Sequence, residues 1–197
     1  SLMPQELINA KPVAAAVIFR LVAERKLRLN QSIGELLPEF NSPVTQNGTR
    51  TRAATLQELL THRSGIYSQK QQITDVQRRA IRDFALSLDQ SVAIIAKQPL
   101  LAPPGEKYAY SGAGYCVLGS LAEKATGKTF DDLLQEKICQ PLGMHSTTYF
   151  PDPSKFDQIA CGGAVPEGNA VADFHAAYSD TSPSRAAGGS GSQARGG

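Results

Sequence analysis

The residue best placed to do chemistry in this sequence is Tyr110, which lies among small residues between a predicted turn and a predicted helix. Pro104 and Gly105 suit the second and third positions of a type II turn just before it. Because residues 111–114 are small, a phenol fixed here could present its hydroxyl into a cleft with little steric obstruction. From this stretch alone, a tyrosine packed in the core where a helix begins is the simpler interpretation.

Helical patterns dominate the chain around this tyrosine. Residues 13–26 are apolar on most faces, which predicts a buried helix with Pro12 in its first turn. Further helical patterns cover residues 33–37, 56–61, 75–86, 91–97, 115–125 and 130–139. Short extended segments are predicted only at 108–111 and 145–150. The sequence therefore predicts a mainly α fold with almost no sheet.

Composition is that of one globular domain. The chain has 197 residues, 41% of them hydrophobic, and a net charge of +2, which gives no electrostatic case for binding nucleic acid. No apolar run approaches the roughly 20 residues that a membrane span needs. We expect a single domain over residues 1–178, followed by a Gly/Ser-rich flexible tail over 179–197.

Metal and nucleotide sites are not expected. The three cysteines and three histidines are far apart in sequence, which predicts packed thiols and no ligand cluster; they are Cys116, Cys139, Cys161, His62, His145 and His175. The segment Gly127-Lys128-Thr129 has the letters that end a phosphate-binding loop, but Ala122 stands where that motif needs glycine. We interpret Gly127 as a helix C-cap and Thr129 as the next N-cap, and expect no cofactor.

Four segments, taken in order, resemble the β-lactamase and penicillin-binding-protein family of serine hydrolases, in particular its class C β-lactamase, D-alanyl-D-alanine carboxypeptidase and esterase branch. They are Lys11-Pro12-Val13, Leu59-Leu60-Thr61-His62-Arg63-Ser64-Gly65, Pro104-Gly105-Glu106 followed by Tyr108-Ala109-Tyr110-Ser111-Gly112, and Pro141-Leu142-Gly143-Met144. The resemblance covers about residues 11–150. It implies an α+β fold of which this chain looks like the helical lobe, with most of the sheet missing.

The resemblance also implies roles for particular residues. In that family a serine three residues before a helical lysine attacks the substrate carbonyl, and a tyrosine from the helical lobe transfers the proton. Carried over, Lys11 matches the lysine and Tyr110 the tyrosine, so both are predicted catalytic residues. Ser111 and Gly112 are predicted to bind substrate; Gly112 stands where many members have a substrate-binding asparagine.

The sequence departs from the family at two places. Ile8 stands three residues before Lys11, and an isoleucine has no group that could attack a carbonyl. The family's third motif, a Lys or His followed by Thr or Ser and Gly, is not found; Ala187-Gly188-Gly189 resembles only a segment that precedes it. His62 and Ser64 are interpreted as turn residues, because the motif offers no acidic third member for a catalytic triad.

Two functions follow from these observations. The first is a serine hydrolase relative whose substrate would be a small ester, amide or β-lactam-like compound. It is expected to be impaired or inactive, because Ile8 stands at the nucleophile position and the third motif is absent. The alternative is a non-catalytic pseudoenzyme, or a fragment, that serves as a binding module. For either function, a helical lobe without its sheet leaves an apolar face uncovered, which predicts self-association or a tail folded over that face.

Overall fold

The architecture is mainly helical. The computed structural model describes residues 10–83, 85–145, 147–148 and 193–194. Its α-helices are α1 Ala10–Ala23, α2 Leu56–Leu60, α3 Asp75–Arg82, α4 Leu88–Ala96, α5 Gly112–Thr126, α6 Phe130–Leu134 and α7 Gln140–Leu142. Short 3-10 helices at Ile33–Glu35 and Pro38–Phe40 fill the connection between α1 and α2. Strand β1, Thr147–Thr148, pairs antiparallel with β2, Gln193–Ala194. The predicted mainly α fold is confirmed.

Helix α5 forms the centre of the core. It packs against α1, α2, α3, α4 and α6, and its residues from Gly112 to Ala122 are all buried. Leu118 and Cys116 are completely inaccessible, so the predicted packed thiol is confirmed at Cys116, as it is at the buried Cys139. A helix covered on every side needs small and apolar residues all round, which is the composition of this segment.

The predicted helix caps are confirmed. The Ser32 hydroxyl accepts the Gly34 N–H and the Thr55 hydroxyl accepts the Glu58 N–H. In each case the glutamate three residues after the cap, Glu35 or Glu58, accepts the backbone N–H of the cap residue, as in a capping box. Gly127 ends α5 in the left-handed conformation with φ 71°, and Thr129 caps α6 by accepting the Asp132 N–H. The Gly127-Lys128-Thr129 segment is therefore a helix–helix junction.

Several predicted boundaries are wrong. Helix α1 begins at Ala10, before Pro12, because the first turn needs no N–H from the proline, and it ends three residues early because Arg25 adopts φ 57°. Helix α5 begins at Gly112, not at 115, because the Ser111 hydroxyl accepts the Gly114 N–H and caps it. The extended stretch predicted at 108–111 is a loop and not a strand.

The remaining differences from the predicted helix bounds occur at the start of α4, at the end of α3 and in the helix type after α6. Helix α4 begins at Leu88 because Ser87 and Gln90 form a capping box, and α3 stops at Arg82 because Asp83 is extended. The helix predicted over 130–139 is α6 continued by a π-helical turn at Gln135–Cys139. The extended segment predicted at 145–150 holds strand β1.

Some predictions fall on other parts of the chain or stay open. Ile8, Ala187-Gly188-Gly189 and most of the predicted tail lie outside the described residues. None of the helices described here is long and apolar enough to cross a membrane. Large apolar side chains are exposed on the described surface, among them Phe19 and Leu142. Self-association stays a prediction.

Candidate active site

Lys11 and Tyr110, the two residues predicted to be catalytic, lie next to each other in the structure. Lys11 is on the first turn of α1 and is only 8% exposed, with its Nζ 4.4 Å from the centre of the Tyr110 ring. The same Nζ lies 5.7 Å from the centre of the Tyr115 ring on α5. At these distances the negative faces of both phenol rings attract the ammonium group. The structure therefore joins a buried cation to a phenol from a segment about 100 residues away.

The backbone on both sides of Tyr110 is held by hydrogen bonds. The Ser68 hydroxyl donates to the Tyr110 carbonyl at 2.6 Å. The next amide, Ser111 N–H, donates to His62 Nδ1 at 3.1 Å, and the preceding Ala109 N–H donates to the His62 carbonyl at 2.8 Å. These three hydrogen bonds hold the 108–109 and 110–111 peptide groups on either side of Tyr110, so its side chain is presented in one orientation, as a site built on a loop requires.

Ser111 and Gly112 continue this loop into α5. The Ser111 hydroxyl is buried, donates to the Tyr67 carbonyl at 2.7 Å and accepts the Gly114 N–H at 2.9 Å. The Gly112 N–H donates to Gln69 Oε1 at 2.8 Å, and a Cβ on Gly112 would lie 3.2 Å from Gln69 Nε2. The Gln69 carboxamide thus fills the space beside Gly112, while Ser111 fixes the start of the helix.

Two further groups at the site were missed by the sequence reasoning. The His62 ring centre lies 4.6 Å from that of Tyr110 and 5.1 Å from that of Tyr115. Lys70 Nζ lies 4.8 Å from the Tyr110 ring centre, and no carboxylate in the described part of the chain forms an ion pair with it. The only sequence signal for His62 was its place in the turn after α2, and Lys70 carried none.

The ionisable groups around Tyr110 respond to burial and to the two lysines. Burial lowers the pKa of His62, and the positive charges of Lys11 and Lys70 lower it further. Burial raises the pKa of Tyr115, whose hydroxyl donates to the Leu60 carbonyl at 3.3 Å. Both shifts favour the uncharged forms, the neutral imidazole of His62 and the protonated phenol of Tyr115.

Hydrogen bonds from Arg52 connect α2 to the turn at residues 103–106. This turn precedes the loop of residues 107–111 that carries Tyr110, here called the tyrosine loop. Arg52 Nη1 donates to Glu58 Oε2 at 2.8 Å, while Arg52 Nη2 donates to the Pro104 carbonyl at 3.0 Å. Gly105 has φ 92°, and the Glu106 N–H donates to the Pro103 carbonyl at 3.2 Å, which matches the predicted type II turn. Glu58 also accepts the Thr55 N–H, so one carboxylate joins the helix cap to the turn.

The ion pair between Arg52 and Glu58 makes a pH-dependent contribution to stability. The Arg52 guanidinium beside Glu58 holds the pKa of that carboxyl below its usual 4.5. Because the folded pKa is lower than the unfolded one, the contribution is complete above pH 4.5 and is lost as the pH falls through the folded pKa. We expect Glu58→Gln to lower the free energy of unfolding by about 1 kcal/mol at pH 7, and by progressively less below pH 4.5. Urea denaturation across this pH range measures the difference.

The matched control is Glu106→Gln, which removes a carboxylate from the same turn. Glu106 is exposed and forms no ion pair within the described residues, so its substitution should change the free energy of unfolding by less than about 0.5 kcal/mol at every pH. A Glu58→Gln effect that stays constant from pH 7 to pH 3 would show that the carboxylate contributes through packing and not through its charge.

The fold and these segments define a relative of the serine hydrolases with the β-lactamase fold. The profile of the family described as "Beta-lactamase" matches residues 9–195. The chain belongs to the Beta-lactamase family.

Individual relatives agree with this assignment. The chain is 34% identical to Esterase EstB of Burkholderia gladioli over 155 residues, which are 74% of this chain and 38% of the esterase. It is 29% identical to the D-alanyl-D-alanine-carboxypeptidase/endopeptidase AmpH of Escherichia coli (strain K12), covering 82% of this chain and 41% of that protein. The solved structure of EstCE1, a hydrolase with promiscuous acyltransferase activity, superimposes with a TM-score of 0.75 at 26% identity over 94% of this chain and 54% of EstCE1. The chain spans about two fifths of the length of these curated relatives.

Proposed function

We propose that Lys11 and Tyr110 form the proton-transfer half of an acyl-transfer site for a small ester, amide or β-lactam-like compound, and that Ile8 leaves this chain without the nucleophile. The observation that carries the proposal is the buried Lys11 ammonium 4.4 Å from the Tyr110 ring centre. Ser111 and Gly112 would contribute to substrate binding through the backbone that they hold beside Tyr110.

The chemistry suits these two side chains. Attack on an ester or amide carbonyl moves a proton from the nucleophile to the leaving group, and a phenol can accept and return that proton. Negative charge develops on the carbonyl oxygen at the same time, and a nearby desolvated cation such as Lys11 lowers the energy of that charge. Ile8 supplies neither a hydroxyl nor a thiol, so no covalent acyl intermediate forms at that position.

The names of the relatives support the proposed substrate class. One is named an esterase and another a carboxypeptidase/endopeptidase for D-alanyl-D-alanine. Both activities break an acyl bond to oxygen or nitrogen, and both names are compatible with a site that contains Lys11 and Tyr110. Because the chain spans about two fifths of each relative, the activity of those whole proteins is a proposal here.

A second candidate function is ligand binding without turnover. It is favoured by Ile8, because a site that keeps Lys11 and Tyr110 but has no nucleophile could bind a carbonyl compound without reacting with it. Calorimetric titration of the unmodified chain with benzylpenicillin tests this function. Saturable heat without covalent labelling supports it, and the absence of any heat contradicts it.

The deciding experiment restores the nucleophile. Wild-type, Ile8→Ser and Ile8→Ala chains are incubated with a fluorescent fluorophosphonate and with a fluorescent penicillin, and circular dichroism checks that each is folded. We expect label on Ile8→Ser only, because Ile8→Ala removes the same bulk without adding a hydroxyl. Label on the wild type would show that another nucleophile acts, and an unlabelled Ile8→Ser chain would contradict the proposal.

A further inference from the structure

His62 occupies a backbone position that normally belongs to glycine. Helix α2 ends at Leu60, and the two residues after its cap close it: the His62 N–H donates to the Leu59 carbonyl at 3.1 Å and the Arg63 N–H to the Glu58 carbonyl at 2.7 Å. This pair of bonds is the Schellman motif, in which the left-handed residue is usually glycine. His62 has φ 58°, so a side chain is present there despite the cost of the conformation.

The imidazole connects this helix end to the tyrosine loop. Its Nδ1 accepts the Ser111 N–H at 3.1 Å, and its ring lies against the Tyr110 ring with a centre-to-centre distance of 4.6 Å. Ser111 directly follows Tyr110, so the hydrogen bond and the ring contact hold the same short segment. A glycine at position 62 would keep both Schellman bonds and lose both of these contacts.

The hydrogen bond defines the protonation state that the imidazole needs. Nδ1 accepts a hydrogen bond only when it carries no proton, so the neutral ring has its proton on Nε2. The groups facing the ring are Lys11 on α1, Lys70 on the segment after α2, Tyr108 and Tyr110 on the loop, and Tyr115 on α5. Burial and the two lysines lower the pKa of His62, which keeps the ring neutral at pH 7.

We propose that His62 is a positioning residue for Tyr110: the neutral imidazole fixes the Tyr110–Ser111 peptide against the end of α2, and its protonation releases that peptide. The inference rests on the proposed function only in that Tyr110 is the proton-transfer group. The positioning itself needs no nucleophile and can be measured on the chain as it is.

Hydrogen exchange of the Ser111 amide, followed by NMR, tests the positioning directly. Corrected for the intrinsic rate, the wild-type protection factor should fall about 10-fold as the pH is lowered through the His62 titration, which the imidazole resonances report. His62→Gly relaxes the left-handed backbone and should remain folded, yet lose about 10-fold of Ser111 protection at pH 7. His62→Asn tolerates positive φ and offers Oδ1 near the position of Nδ1, so it should keep the protection and make it independent of pH.

Opposite results overturn the inference. If Ser111 protection in the wild type does not follow the His62 titration, or if His62→Gly leaves it unchanged, the ring is a packing group alone. The Leu59 amide, which donates to the Thr55 carbonyl within α2, is the internal control and should be unaffected in all three chains.

A second measurement links the positioning to chemistry. In an Ile8→Ser background, His62→Gly should slow fluorophosphonate labelling about 10-fold at pH 7, and His62→Asn should remove the acidic limb of the pH–rate profile. An unchanged rate and profile would contradict the inference. If Ile8→Ser takes no label at all, the proposed function fails, and the exchange of the Ser111 amide still decides whether His62 positions the loop.

Discussion

Substitution of Gly65 by alanine is expected to destabilise the protein by about 3 kcal/mol or more. Gly65 has φ 78°, where a Cβ is disfavoured by about 1–2 kcal/mol, and that Cβ would lie 2.1 Å from the Ala102 carbonyl oxygen. The oxygen belongs to backbone that is itself fixed, because the Leu101 N–H donates to the Gly65 carbonyl at 2.7 Å. The two segments must separate, and thermal or urea denaturation measures the loss.

Gly127→Ala separates the two causes of this effect. Gly127 has a similar φ of 71°, but nothing lies within 4 Å of a Cβ built there. Only the backbone conformation should matter, so a loss of about 1 kcal/mol is expected. If the two alanine variants lose equal stability, then the close approach of Gly65 to Ala102 is not what excludes a side chain.

The second large effect concerns the hydroxyl of Tyr110. In an Ile8→Ser background, Tyr110→Phe is expected to slow covalent labelling by a fluorophosphonate about 100-fold, since the loss of a positioned proton-transfer group has effects of this size. The phenylalanine ring keeps its contacts with Lys11 and His62, so the fold and the cation–π contact remain. The decrease in labelling rate would therefore report the loss of the Tyr110 hydroxyl and not a change in the packing of the loop.

Tyr108→Phe is the matched control for this substitution. Tyr108 lies two residues earlier on the same loop, is 63% exposed and contacts His62 only through its ring, at 5.9 Å between centres. Removal of its hydroxyl should leave the labelling rate within about 3-fold of the parent. If the two variants label at the same rate, Tyr110 is a structural tyrosine and the proton is transferred by another group.

The helices were predictable from the sequence where local interactions determine them. Apolar periodicity located the buried helices, and the pairs Ser32–Glu35 and Thr55–Glu58 located two helix starts, because a capping box is made by residues three positions apart. The start of α5 was misplaced because glycines at 112 and 114 argue against a helix in isolation. Its central place in the core, with neighbours on every side, outweighs that propensity.

The site was predictable only in part. Lys11 and Tyr110 were predicted because they stand in motifs, and the structure places the two side chains in contact. His62 was recognised as a turn residue, which its left-handed backbone agrees with, but its contact with the Ser111 amide spans 49 residues and leaves no local pattern. Lys70 reaches Tyr110 from an irregular segment, and no periodicity predicts the direction of such a side chain.

The wide spacing of the site along the chain has a consequence for how the protein folds. Residues 11, 62 and 110 stand about 50 positions apart, so each contact between them closes a long loop. Such closures are slow compared with helix formation and are favourable only once the intervening core is packed. The site should therefore be assembled late in folding: after dilution from denaturant, protection of the Ser111 amide should appear after the helical signal and together with the final compaction of the core.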